Sequence, residues 1–100
     1  SLGTPMEVTV RFTGLLRSLA RRDSLKLSLE EDATLGDALF ALRVELPSAF
    51  TEKVVLPMSR GEPSAALLLL NRTVVAPAGA LDRSLTDRDV VAFVTPADGG

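Results

Sequence analysis

The sequence predicts an α+β domain in which a mixed β-sheet packs against one main α-helix. Three observations lead there. Apolar residues alternate in two early segments, 7–12 (EVTVRF) and 24–29 (SLKLSL), the mark of half-buried strands. One sustained stripe at helical spacing follows Thr34. Two later apolar runs, 65–70 (AALLLL) and 90–94 (VVAFV), fit best as strands. No repeat and no linker separates two cores, so one helical layer must cover one sheet.

Composition narrows the chemistry. The 100 residues suit one domain, and 46% hydrophobic with 24% charged residues and a net charge of −2 describe a globular chain. No apolar run approaches the ~20 residues of a membrane-spanning helix. The mild acidity argues against non-specific nucleic-acid binding, which needs a basic surface. Cys, His, Trp and Tyr are all absent. That excludes disulfides, the usual zinc sites, a thiol nucleophile and an imidazole base. The compartment expected by default is the cytoplasm.

Residues 1–5 are expected to be an appended remnant or a disordered arm, because the regular pattern begins just after Met6. The domain proper is expected over 6–94. In its first strand Val8, Val10 and Phe12 share one face. Gly14 breaks it, and 14–22 (GLLRSLARR) reads as a short helix with Leu15, Leu16 and Leu19 on one side. Arg17 and Arg21 oppose them, and a solvated helix face explains that pair better than an acidic partner does. The second strand turns Leu25, Leu27 and Leu29 inward and is expected to pair antiparallel with the first. The acidic 30–32 (EED) reads as a solvated turn, since adjacent carboxylates without further ligands make a poor calcium loop.

Thr34 and Asp37 have the spacing of a capping box, with Asp in place of the usual Glu. Leu35, Ala38, Leu39 and Leu42 form the buried stripe of the helix they open. Pro47 should stop it near Glu45 or Leu46. Residues 48–55 read as one or two further helical turns, and 56–64 (LPMSRGEPS), with two prolines and a glycine, as an exposed loop. The run 65–70 lacks alternation, so a strand buried on both sides near the sheet centre is expected. The stretch 71–75 (NRTVV) is expected to turn and continue as a short strand, loop follows in 76–82, and 85–89 (LTDRD) turns into the last strand. Val8, Val10, Leu27, Leu39, Leu42, Leu68 and Phe93 are expected in one core.

No phosphate-binding glycine loop is present, no histidine can activate a serine, and no carboxylate pair stands out. Nothing marks a catalytic residue of the domain's own. The distinctive group left is the carboxylate of Gly100, which follows Gly99. A diglycine alone proves little, because frayed endings are often glycine.

What precedes it carries a resemblance. The segment 85–100 (LTDRDVVAFVTPADGG) resembles the ending of the MoaD/ThiS family of small β-grasp sulfur carriers through Leu85, Asp87, Asp89, Val91, Ala92, Phe93, Pro96, Gly99 and Gly100. The stretch 67–75 (LLLLNRTVV) is similar to the family's central strand and Asn turn. The resemblance implies a ubiquitin-like β-grasp fold, closest to the small subunit of molybdopterin synthase. It implies that Gly100, reached through Gly99, is the site of adenylation and then of the thiocarboxylate. It further implies that Phe93, Val94, Thr95, Pro96, Ala97 and Asp98 meet the partner, 95–100 being a flexible arm. The partners implied are an ATP-dependent ubiquitin-activating-like adenylyltransferase and the molybdopterin synthase large subunit. No cofactor is bound by the carrier, and ATP is used by the activating enzyme. Three positions depart from the family pattern: Arg88 where a turn glycine is common, Thr95 where a second proline is frequent, and the charged Asp98. A ubiquitin-like protein modifier, and a carrier for thiamine or tRNA thiolation, remain alternative readings.

Overall fold

The computed structural model describes residues 3–96. Five strands form one sheet: β1 (Met6–Phe12), β2 (Ser24–Leu29), β3 (Leu67–Leu70), β4 (Thr73–Val75) and β5 (Val90–Val94), in the order β2-β1-β5-β3-β4. β1 and β5 run parallel at the centre, and every other pair is antiparallel. Helix α1 (Gly14–Ala20) connects β1 to β2, and α2 (Leu35–Glu45) is the main helix. This is the ubiquitin-like β-grasp arrangement the resemblance implied.

Register explains the core. Val8 stands opposite Leu27, Phe12 opposite Phe93, and Phe93 opposite Leu68, so alternate residues of neighbouring strands converge on one face. The stripe Leu35, Ala38, Leu39 and Leu42 of α2 covers that face. All seven core residues expected from the sequence are buried. Phe12, Phe50 and Phe93 form an aromatic cluster, with Phe50 edge-on to both others at 5.3 Å and Phe12 stacked on Phe93 at 5.7 Å.

The first turn of α2 is built as its spacing requires. The Thr34 hydroxyl accepts from the Asp37 amide at 3.2 Å, and the Asp37 carboxylate accepts from the Thr34 amide at 2.9 Å. Two otherwise orphaned donors are thereby satisfied. The helix ends at Glu45, two residues before Pro47.

Four expectations are corrected. Leu15 is 77% exposed, because α1 is short and buries only the narrow stripe of Leu16 and Ala20, with Leu19 at its margin. Residues 56–59, expected as loop, are helical. The chain runs from α3 (Ser48–Phe50) through a π-helical turn (Thr51–Val55) into α4 (Leu56–Ser59), burying Met58. Pro57 is tolerated at the start of α4, where a missing N–H is least felt. A third correction concerns β3, which is shorter than 65–70 and is not buried on both sides. Leu68 and Leu70 face the core while Leu67 and Leu69 face a side no helix covers, and β5, not β3, is the central strand. Finally, Pro77–Ala80 forms a short helix, α5, that tucks Ala80 inward.

Arg88 occupies left-handed backbone at φ 72, in the turn that delivers the chain to β5. Its amide donates to the Glu7 carbonyl at 2.8 Å, which fixes the conformation despite the side chain. A residue with a Cβ pays about 1–2 kcal/mol there. Arg88→Gly should therefore raise stability by about 1 kcal/mol, or about 4–8 °C in Tm, measurable by thermal denaturation.

Candidate partner-docking face

Among the described residues, the helices cover one face of the sheet and leave the other open. Strand alternation decides what that face presents. On β5 it carries Val90, Ala92 and Val94; on β3, Leu67 and Leu69; on β4, Val74. Pairing sets Arg11, Ala92, Leu69 and Val74 in one row across four strands, and Val94 beside Leu67 in the next. Val74 is 58% exposed and Leu67 37% exposed, so the row is an apolar surface open to solvent. A shallow concavity of about 480 Å³ lies here, floored by Leu69, Val90 and Ala92 and edged by Arg11, Asn71 and Arg72. Neither arginine forms an ion pair with another described residue. An apolar floor with a cationic rim suits a protein surface of matching apolar patch and acidic edge.

A polar latch holds the strand that carries this face. Asp89, nearly buried, accepts from the Asn71 amide at 2.9 Å, from the Thr86 backbone amide at 2.8 Å and from the Thr86 hydroxyl at 2.9 Å. Asn71 in turn accepts from the Val90 amide at 2.9 Å and gives its own backbone N–H to the Val90 carbonyl at 2.8 Å. Asn71 takes φ 50, a conformation its short polar side chain tolerates. The β3–β4 turn and the start of β5 are thus one unit.

Burial alone would push the Asp89 carboxyl up. Donors from Asn71 and Thr86, with Arg83 nearby, outweigh it and hold the group below its ordinary value. A depressed folded-state pKa gives stability that is fully present above the unfolded value near ~3.9 and is lost as pH falls through the folded one. Asp89→Ala strands three donors and should cost about 2 kcal/mol at neutral pH. In urea titrations, the gap between variant and parent should narrow only at acid pH, below ~4.

The residues expected to meet a partner fall in different places. Val94 is half-buried on the docking face, Thr95 is half-buried beyond the strand, and Pro96 is exposed. Phe93 is fully buried, because β5 alternation turns it to the opposite side from Val94. It cannot touch a partner and instead anchors β5 from beneath. The Phe93 carbonyl accepts from the Thr13 amide at 3.2 Å, tying the strand's end to the start of α1. Ala97, Asp98, Gly99 and Gly100, the last four residues of the expected arm, lie outside the described residues.

Sequence reasoning missed Leu67, Leu69, Val74, Arg11 and Arg72 as part of the face. The signal for β3 was hidden by four identical leucines, in which no alternation is visible. Among the described residues no helix is long and apolar enough to cross a membrane, and no three acidic side chains gather as metal ligands.

Comparison with curated proteins finds no match. The chain is similar to solved structures of the same architecture. The HVO 2177 protein of Haloferax volcanii is 24% identical, with 100% of this chain and 92% of that one covered, at a TM-score of 0.74. A Pyrococcus furiosus protein described as a putative molybdopterin converting factor, subunit 1, is 25% identical over 91% of this chain and 98% of its own, at 0.72. Urm1 from Trypanosoma brucei is 24% identical over 99% and 100%, at 0.70. The sequence profile of the ThiS family matches residues 10–100, nearly the whole domain with its central strands, Asn71 turn and closing diglycine. With that match, the chain belongs to the ThiS family of β-grasp sulfur carriers.

Proposed function

We propose that this chain carries sulfur on Gly100 for molybdopterin biosynthesis, acting as the small subunit of molybdopterin synthase. The observation that carries the reading is the open apolar face, which ends at Val94, immediately before residues 95–100. A protein that grips this face receives the tail that follows it. Likeness to the Pyrococcus furiosus protein supports the molybdopterin branch and the large subunit as partner.

The chemistry needs little from the carrier. A carboxylate is a poor electrophile until it acquires a leaving group. In this reading an ATP-dependent, ubiquitin-activating-like adenylyltransferase joins the Gly100 carboxylate to AMP and releases pyrophosphate. A sulfur nucleophile then displaces AMP, leaving a thiocarboxylate, and the large subunit transfers that sulfur to its precursor. The carrier holds no cofactor, ATP belongs to the activating enzyme, and the cytoplasm is the compartment. Glycine serves the arm because a residue without Cβ passes a narrow channel that a side chain would block.

The test is reconstitution. The intact chain, incubated with activating enzyme, ATP and a sulfur donor, should show oxygen replaced by sulfur at Gly100 by mass spectrometry. The thiolated product should then convert the molybdopterin precursor when mixed with the large subunit. Thiolation followed by sulfur transfer only to a thiazole precursor or to tRNA would move the chain to another pathway. Isopeptide adducts on lysines of other proteins, without precursor conversion, would make it a modifier instead.

A further inference from the structure

Helix α2 departs from simple amphipathicity. On its outer side Phe40 is 65% exposed and Val44 81% exposed, one turn apart. They form one wall of a groove of about 440 Å³, and Thr51, Glu52 and Leu56, from the π-helical turn and α4, form the other. Arg43 lies on the α2 wall with its guanidinium 5.4 Å from the centre of the Phe40 ring. Glu52 lies on the opposite wall, and neither charge forms an ion pair with another described residue. Thr51, nine-tenths buried, lines the groove, and its hydroxyl has no hydrogen-bond partner among the described residues.

We propose that the groove is occupied by a second copy of this chain, in a two-fold dimer. Charge placement argues for that occupant. Rotation by a half-turn about an axis along the groove, in the plane of contact, lays each α2 wall over the other copy's opposite wall. Arg43 of each copy then lies on the side that carries Glu52 of the other, twice over, and Phe40 and Val44 lie over the wall that carries Leu56. Opposite charges on opposite walls make a surface complementary to itself, the requirement of an isologous interface. The groove lies on the helical side, and the open sheet face lies on the other. Dimerisation therefore leaves the docking face and Val94 free for the partner. Two large apolar side chains per copy make a small interface, well below ~800 Å² per partner, so the association is reversible.

Sedimentation velocity on the full chain, from micromolar to millimolar concentration, tests this. A concentration-dependent dimer is expected. Phe40→Asp should raise its dissociation constant at least ~10-fold, the loss of one central apolar anchor. Arg43→Glu and Glu52→Arg should each weaken self-association similarly, because each places like charges together on both sides of the axis. An equimolar mixture of those two single variants should recover association as a heterodimer, and the double variant should recover it as a homodimer. All these positions are on the surface, and circular dichroism would verify that the variants fold. A chain that stays monomeric to millimolar concentration overturns the proposal and leaves the groove to a different protein. So does a mixture that associates no better than either variant alone.

Discussion

Removal of Gly99 and Gly100 is expected to abolish ATP-dependent thiolation and leave the thermal midpoint unchanged. The two halves of this expectation have separate causes. Every buried apolar residue among those described lies between Met6 and Phe93, and the aromatic cluster, the capping box and the Asn71–Asp89 latch all precede Thr95. The deletion leaves each of them intact. In the proposed function, by contrast, the chemistry resides in the carboxylate that is removed. The shortened chain ends in Asp98, whose backbone carboxylate stops two residues short of the activating site and sits beside a second negative charge. Gly100→Ala separates reach from fit. It restores the length but adds a methyl group where only hydrogen passed, so thiolation should slow and not vanish. Intact-mass spectrometry on the three proteins, with the same enzyme and sulfur donor, reads both effects. Equal thiolation of the truncated chain would exclude Gly100 as the reacting residue.

What could be read in advance follows from which forces are local. The cap of α2 depends on Thr34 and Asp37, three residues apart, and it forms as their spacing requires. The strands announced themselves where polar and apolar residues alternate, as in 24–29. The failures share a different cause. Four leucines in β3 carry no information about which side is covered, and only the position of α2 decides that Leu68 is buried and Leu69 faces outward. Leu15 and Leu16 are chemically identical, and which side α1 turns to the core chooses between them. Pro57 looked like a helix breaker, yet a π-helical turn ahead of it resets the hydrogen bonding, with Leu56 donating to Thr51. The docking face was the least legible feature. It is assembled from β1, β5, β3 and β4, and no segment of sequence contains more than two of its residues in alternation except β5 itself.

The division of labour along β5 leads to the second large effect, a contrast between two neighbouring residues. Phe93→Ala should destabilise the domain by about 3–5 kcal/mol, because Phe93 is fully buried and touches the rings of Phe12 and Phe50. A domain of this size holds only about 5–15 kcal/mol in total, so the variant should be partly unfolded at physiological temperature. Val94→Asp should behave in the opposite way. Its side chain lies half-exposed on the open face beside Leu67, and the substitution should cost the fold about 1 kcal/mol or less. It places an unpaired carboxylate in the apolar row, where a partner would have to desolvate it. Binding should fall by at least ~2 kcal/mol, about 30-fold in Kd, for the activating enzyme and for the large subunit alike. Urea denaturation measures the first quantity and isothermal titration calorimetry the second. Unchanged affinity of Val94→Asp for both partners would place the docking surface elsewhere. A Phe93→Ala protein that stayed fully stable would mean that the aromatic cluster does not hold β5, and with it the face, in position.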